Sequence, residues 1–120
     1  MEKDRRNIEM FRKADKTGYT TSMPGIQMKT LVYGNKTLLA EFVLQKGNIL
    51  TEHTHSHEQT GYLITGHIRL KIGDIIHEAL PGDSWCIPSD IKHGAQIIED
   101  SIAVEVFSPV REDFLPENSK

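Results

Sequence analysis

The sequence predicts an all-β protein, a barrel or sandwich of short strands, on three observations. From Ile26 onward, short runs rich in aliphatic and β-branched residues recur at regular spacing and are broken by glycine or proline. Two of these runs, HIRLKI and IIHEAL, flank Gly73-Asp74, which is typical of a tight two-residue hairpin. No ten-residue helical pattern follows residue 25, apart from a short turn predicted over 111–115.

The N-terminal residues differ in composition from the rest. Residues 1–22 are rich in charges of both signs and carry few sizeable apolar side chains. We interpret residues 8–16 as a short helix or an arm. The sequence therefore divides into an N-terminal arm over 1–22 and one β-barrel domain over 23–116.

Polar dipeptides and prolines mark the ends of the later strands. Glu99-Asp100 predicts a reversal between AQII and SIAVEVF, and Pro81-Gly82 and Pro88 limit a strand around Trp85. The predicted strand runs are IQMKTLVYG, KTLLAEFVLQKG, GYLITG, HIRLKIG, IIHEALPG, SWCIP, AQIIED and SIAVEVF.

Length and charge limit the function classes. The chain has 120 residues, which suits one domain, and a net charge of -3, which predicts neither a nucleic-acid partner nor an anionic membrane surface. The single cysteine, Cys86, rules out an intrachain disulfide framework and fits a reducing compartment. The charged N-terminus leaves no room for a signal peptide, and no apolar run is long enough to span a membrane. We expect a cytoplasmic protein.

The run HTHSHEQTGY, residues 53–62, is the strongest functional signal. On a strand, His53 and His55 lie on the same side with Cα atoms roughly 6.6 Å apart, so both imidazoles can reach one ion. An extended chain from 53 to 59 would span roughly 20 Å, which no single ion bridges. The chain must therefore bend after His55, which lets Gln59 return toward the ion and leaves His57 in the turn.

Three further histidines are candidates for an additional ligand. His67 follows a turn glycine and His77 lies mid-strand, so both are predicted to be surface or packed residues. His93 follows PGDSWCIPSDIKHGA, where a turn, a strand and a loop with proline deliver it to a strand start. We therefore predict His93 as the fourth ligand; the alternative is a polar loop that happens to carry histidines.

With these segments, the chain resembles the cupin superfamily in two motifs at the right order and separation. The first is matched by Gly47, His53, His55, Gln59 and Gly66, and the second by Gly82, Pro88 and His93. The resemblance implies a small double-stranded β-barrel of jelly-roll type, with a divalent transition metal held by His53, His55, Gln59 and His93. Gln59 replaces the usual glutamate, so all four ligands are neutral and the ion keeps more of its charge. Zn, Ni, Fe and Mn all suit this set.

A narrower resemblance lies in EDSIAVEVFSPVREDFL, residues 99–115. This stretch is similar to small cupins of the KdgF family, which open the ring of 4,5-unsaturated uronates released by polysaccharide lyases. The resemblance implies that Glu105, Phe107 and Arg111 line the metal pocket as catalytic residues. The family's acid is typically aspartate, so Glu105 adds one methylene.

Alternation along SIAVEVF places Ser101, Ala103, Glu105 and Phe107 on one face of a strand. From the residues alone, Glu105 either faces solvent or projects into a polar pocket. Arg111 either pairs with Glu112 or Asp113 at the surface or clamps a substrate carboxylate. The aromatic residues Tyr62, Trp85 and Phe107 line the pocket or belong to the core.

The leading hypothesis is a metal-dependent enzyme that converts an unsaturated uronate to its linear ketonised form. The alternatives are an Fe-dependent cupin dioxygenase and a non-enzymatic cupin that binds a metal or small ligand. The expected partner is a small anionic sugar acid. Isolated cupin barrels resemble proteins that pair into dimers, so we also expect a homodimer, to which the arm could contribute.

Overall fold

The computed structural model describes residues 8–116 and confirms the all-β prediction. Within that range there is no α-helix, and a single 3₁₀ helix at Glu112–Phe114 forms the short turn predicted near the C-terminus. The strands are β1 (Thr20–Met23), β2 (Ile26–Tyr33), β3 (Leu38–Leu44), β4 (Ile49–His53), β5 (Glu58–Ile72), β6 (Ile75–Ala79), β7 (Ser84–Ile87) and β8 (His93–Ser108).

The two longest strands, β5 and β8, organise the topology. They pair antiparallel along almost their whole length, from Glu58 opposite Ser108 to Ile72 opposite His93. The first half of β5 also pairs with β7 and its second half with β6, while β8 pairs first with β4 and then with β3. Both long strands are thus shared between two antiparallel layers, β4-β8-β5-β6 and β1-β2-β3-β8-β5-β7, as in a jelly roll.

The reversal predicted at Glu99-Asp100 is wrong, because β8 runs through it without a break. The pairing of β5 with β8 shifts register there, between Leu63 and Ile68, so the strands bend instead of turning back. Glycine at position 66 allows the two strands to approach closely at the bend, since a Cβ on Gly66 would lie 2.4 Å from the Asp100 carbonyl oxygen. The runs GYLITG and HIRLKIG, predicted as two strands, both belong to β5, which continues through the same bend. The polar dipeptide Glu99-Asp100 therefore marks the bulged bend at which β8 passes from one layer to the other.

The predicted hairpin at Gly73-Asp74 is present. Ile72 pairs with Ile75 across the two turn residues, and Gly73 has φ +60, a left-handed conformation that glycine adopts at little cost. The turn therefore fixes the register of β5 against β6.

Residues 8–19 form an arm without regular secondary structure, and the alternative of a helix over 8–16 is wrong. Its charged side chains bind β2 instead of supporting a helix: the Lys29 Nζ lies 2.6 Å from Asp15 Oδ1, and Arg12 donates to the Leu31 carbonyl over 3.4 Å. Lys29 is only 3% exposed, so the arm covers it. Strand pairing begins at Thr20, within the predicted arm; the division at residue 23 stays a prediction, and residues 1–7 lie outside the described range.

The core lies between the layers in two apolar clusters. The larger contains Ile26, Leu44, Leu63, Ile68, Leu70, Ala79, Ala95, Ile97 and Ala103, and the smaller contains Met28, Leu38, Ala40, Phe107, Val110 and Leu115. Phe42 packs against both clusters. Burial of these side chains is the main stabilising contribution to the layer contact. Among residues 8–116, no helix has the length and apolar character that a membrane span requires.

Candidate metal centre

Three histidines converge, of which His53 is exposed, His55 is half-buried and His93 is buried. His53 ends β4 and pairs directly with His93, which begins β8, while His55 lies in the loop after β4. Their ligand nitrogens all lie within 4.8 Å of one another. The ring centroids of His53 and His93 are 4.3 Å apart, and those of His55 and His93 are 4.9 Å apart. Pairing between β4 and β8 thus joins residues that are distant in the chain.

The second nitrogen of each ring is held by the backbone. Nδ1 lies 2.8 Å from the Thr51 carbonyl oxygen in His53, 3.0 Å from that of His57 in His55, and 2.9 Å from that of Ile91 in His93. A carbonyl oxygen only accepts, so in each ring Nδ1 carries the hydrogen and donates it. Each neutral ring then keeps a lone pair on Nε2, the atom that binds a metal.

Burial favours this neutral state. Removal from water lowers the pKa of His55 and of His93, and the nearby Arg111 charge lowers both further. His93 is 2% exposed, and its Nε2 is a buried nitrogen without a hydrogen-bond partner among the described residues. A buried lone pair left unpaired is costly, and a cation would satisfy it. The residues present therefore fit the divalent metal that the cupin resemblance implies.

Gln59 completes the group. Its Oε1 lies 2.9 Å from His55 Nε2, and its Nε2 donates to Glu105 Oε1, which fixes the orientation of the amide. With the hydrogen of His55 on Nδ1, the short contact brings two lone pairs together, which repel unless both bind one cation. The structure thus brings the four predicted ligands to one place.

His57 lies beside this group. The predicted bend is present, because β4 ends at His53 and β5 begins at Glu58. The His57 ring centroid is 5.7 Å from that of His55, and its Nδ1 is also buried without a partner among the described residues. Its nitrogens do not belong to the converging set, although its backbone carbonyl orients His55.

Glu105 projects into the same pocket and not toward solvent. As alternation predicted, Ser101, Ala103, Glu105 and Phe107 share the inner face of β8, where Ser101, Ala103 and Phe107 are buried. Glu105 Oε1 accepts hydrogen bonds from Trp85 Nε1, over 3.1 Å, and from Gln59 Nε2. Burial raises the pKa of Glu105 to about 7, although these two hydrogen bonds oppose the rise.

Arg111 pairs with Asp113, one of the two roles that the sequence left open, and it also lines the cavity. Its Nε and Nη2 donate to the two carboxylate oxygens of Asp113, over 3.1 and 2.7 Å, which holds the pKa of Asp113 below its usual value. The guanidinium also stacks on two rings, with Cζ 5.2 Å from the Phe107 centroid and 4.1 Å from the Phe114 centroid. Its side chain is 17% exposed and lines the same cavity as His53 and His93.

The cavity has a volume of about 350 Å³ and is mostly apolar. Its polar lining consists of Ser22, Thr51, His53, Gln59, His93, Glu105, Arg111 and Asp113. Trp85 and Phe107 line it, whereas Tyr62 is 46% exposed and lies outside. Sequence reasoning missed Ser22 and Met23 of β1 and Phe42 of β3, because only the pairing of distant strands places them here. A pocket with few convergent polar groups in an apolar wall is typical of small-ligand sites.

Comparison with known proteins agrees with this geometry. Residues 40–109 match the Cupin domain family. The pectin degradation protein KdgF of Dickeya dadantii is 28% identical over 103 residues, covering 84% of this chain and 94% of that protein. The structure of KdgF from Halomonas sp. is similar with a TM-score of 0.79 and 30% identity, covering 82% of this chain and 92% of the other.

A cupin structure from Shewanella frigidimarina, described as RmlC-like, gives a TM-score of 0.84 at 27% identity, covering 89% of this chain and 96% of that one. The family match takes in more than half of the described barrel and includes His53, His55, Gln59 and His93. The chain therefore belongs to the cupin family, as a small member similar to KdgF.

Proposed function

We propose that this cupin is a metal-dependent enzyme of uronate breakdown that opens the ring of a 4,5-unsaturated uronate to give the linear ketonised acid. The observation that carries the proposal is the placement of Glu105 and Arg111 around one cavity with His53 and His93, two members of the three-histidine cluster. Similarity to KdgF, whose name assigns it to pectin degradation, supports the substrate class.

The metal would be held by His53, His55, His93 and Gln59. When bound, a divalent ion among neutral ligands supplies a Lewis acid that polarises a substrate oxygen. The chain's own contribution is to keep the three Nε2 lone pairs available, through the backbone hydrogen bonds to Nδ1, and to surround them with apolar walls.

Arg111 would bind the substrate carboxylate. A guanidinium has five N–H donors, and Asp113 accepts from two of its nitrogens, which leaves donors for a second carboxylate. Stacking on Phe107 and Phe114 fixes the plane of the guanidinium. The cavity volume of about 350 Å³ suits a single sugar acid.

Glu105 would move the proton. Ring opening takes the proton from the anomeric hydroxyl as the ring C–O bond breaks, and the resulting enol gains a proton on carbon to become the ketone. The reaction is an isomerisation, so it needs no co-reactant. A carboxyl group with a pKa of about 7 can both accept and return a proton near neutral pH.

The test is to incubate metal-loaded protein with an unsaturated monouronate generated by a lyase and to follow the loss of enoate absorbance. We expect a rate above the spontaneous one, and a decrease of about 10²-fold or more in E105Q, because general acid-base catalysis contributes on that scale. The matched control is E99Q, which changes an exposed glutamate on the same strand, β8.

Two results would contradict the proposal. One is a wild-type rate no faster than the spontaneous reaction. The other is binding of the sugar acid without turnover, with an affinity that E105Q leaves unchanged, which would indicate a ligand-binding cupin.

A further inference from the structure

Three residues on neighbouring strands form a row across the inner wall of the pocket. Gly61 of β5 pairs directly with Trp85 of β7 on one side and with Glu105 of β8 on the other. Residues paired directly across strands point to the same face of a sheet, so Trp85 and Glu105 both face inward. They are two strands apart, a separation of roughly 9.6 Å, with Gly61 between them.

The missing side chain of Gly61 lets the indole cross this gap. A Cβ on Gly61 would lie 2.2 Å from Trp85 Nε1 and 2.3 Å from Trp85 Cε2, which is far inside contact distance. The indole therefore lies in the space that a side chain at position 61 would fill. Glycine is required here because the indole ring lies close to the backbone, and glycine within a strand often marks such a close approach.

Having crossed β5, the indole reaches the carboxylate. Trp85 Nε1 donates to Glu105 Oε1 over 3.1 Å, and Gln59 Nε2 donates to the same oxygen. Among the described residues, both hydrogen bonds that this carboxylate accepts go to Oε1. Without such donors the carboxylate would rotate freely, because the terminal torsion of glutamate is broad.

We propose that Trp85 is a positioning residue, whose indole N–H, laid across Gly61, holds Oε1 of Glu105 together with Gln59 and so leaves Oε2 as the oxygen that exchanges the substrate proton. The assignment rests on the proposed function, in which Glu105 is the proton carrier. It gives Gly61 and Trp85 a joint role that neither cupin motif contains.

A contribution from packing alone can be separated from this role. The indole is partly buried and packs against the larger core cluster, so removing the whole ring would disturb the fold. W85F keeps an aromatic ring at this position and removes only the N–H donor. Bound metal, measured by elemental analysis, should be unchanged in W85F and shows that the barrel is intact.

The kinetic test compares W85F with wild type on the unsaturated monouronate. We expect kcat to fall about tenfold with KM within about twofold, since a hydrogen bond to a charged group is lost and substrate contacts remain. Y62F, which alters an exposed aromatic residue next to Gly61, should leave both constants unchanged. Loss of binding with kcat preserved in W85F would overturn the positioning role.

A second test needs no turnover. Trp85 is the only tryptophan, so the ¹⁵N-labelled protein gives one indole cross-peak. We expect E105A to shift this cross-peak and to speed its exchange with solvent, and E99Q to leave it in place. A cross-peak that does not move in E105A would overturn the proposal. A wild-type protein that shows no uronate turnover would contradict the proposed function, while the cross-peak would still decide whether the indole holds Glu105.

Discussion

The six histidines of this chain form two groups that differ in what their ring nitrogens do. In His53, His55 and His93, Nδ1 donates a hydrogen bond to a backbone carbonyl oxygen, and the ligand nitrogens converge. In the second group, the Nε2 of His67 lies 2.7 Å from Glu78 Oε1, His77 is exposed on β6, and His57 lies beside the cluster.

The comparison shows that nearness in sequence does not select a ligand. His57 is two residues from His55 and stays outside the converging set, whereas His93, which is distant in the sequence, joins it through its pairing with His53. What the first group shares is a backbone acceptor that fixes the tautomer and the plane of each ring. A metal site is therefore built by the second nitrogen of each histidine as much as by the first.

The largest expected effect comes from removing a member of the first group. H93A should weaken binding of Zn²⁺ by more than about 100-fold, since it deletes the most buried ring and leaves an incomplete set. Isothermal titration of the metal-free protein measures this, with H77A as the control. Zn²⁺ affinity that survives in H93A would remove His93 from the site.

A much smaller effect is expected for H57A. The backbone carbonyl that orients His55 remains in this variant, so Zn²⁺ affinity should stay within about threefold of wild type. The same titration provides the comparison, with H53A as the matched variant that should lose the metal. If H57A loses the metal and H53A keeps it, the ligand is His57 and not His53.

The smallest effect concerns His67 and its partner Glu78. Hydrogen bonds from Arg69 and then from His67 lower the pKa of Glu78. A carboxylate whose folded-state pKa is lowered stabilises the fold above its unfolded-state value, here 4.5, and this contribution disappears as the pH falls through the lowered value. E78Q should therefore lower Tm slightly at pH 7 and leave it unchanged in strongly acidic buffer, because surface pairs contribute little.

Thermal unfolding followed by circular dichroism at both pH values checks this prediction. H77N, which alters an exposed residue on the same strand, should leave Tm unchanged at either pH. A decrease in E78Q that is equal at neutral and acidic pH would show that the charge of Glu78 is not its cause.

The sequence was most informative where one local rule decides the outcome. Two-residue alternation placed Glu105 and Phe107 on one face of β8, which the structure shows to be the inner one, and the turn residues at Gly73-Asp74 fixed a hairpin. The pattern of histidines, together with the impossibility of bridging an extended segment, located the bend after His55. Each of these inferences depends on residues that are close in the chain.

Sequence reasoning failed where distant strands decide. The polar pair at Glu99-Asp100 was interpreted as a turn, but β8 continues through it with a bend, because it pairs with β5 on one side and with β3 and β4 on the other. The charged residues of the arm were compatible with a short helix. In the structure, the arm instead lies against β2, where the Asp15 carboxylate pairs with Lys29. The contact of Trp85 with Glu105 needs three strands in register, which no local pattern shows.

The pairing of His53 with His93 also has a thermodynamic consequence. An ion held by both side chains would close a loop of about forty residues, and such a cross-link disfavours the unfolded chain because it removes loop entropy. Since the metal would bind the folded barrel better than the unfolded chain, a higher metal concentration would increase the free energy of unfolding. The ion proposed to take part in catalysis would thus also cross-link the two cupin motifs and stabilise the fold.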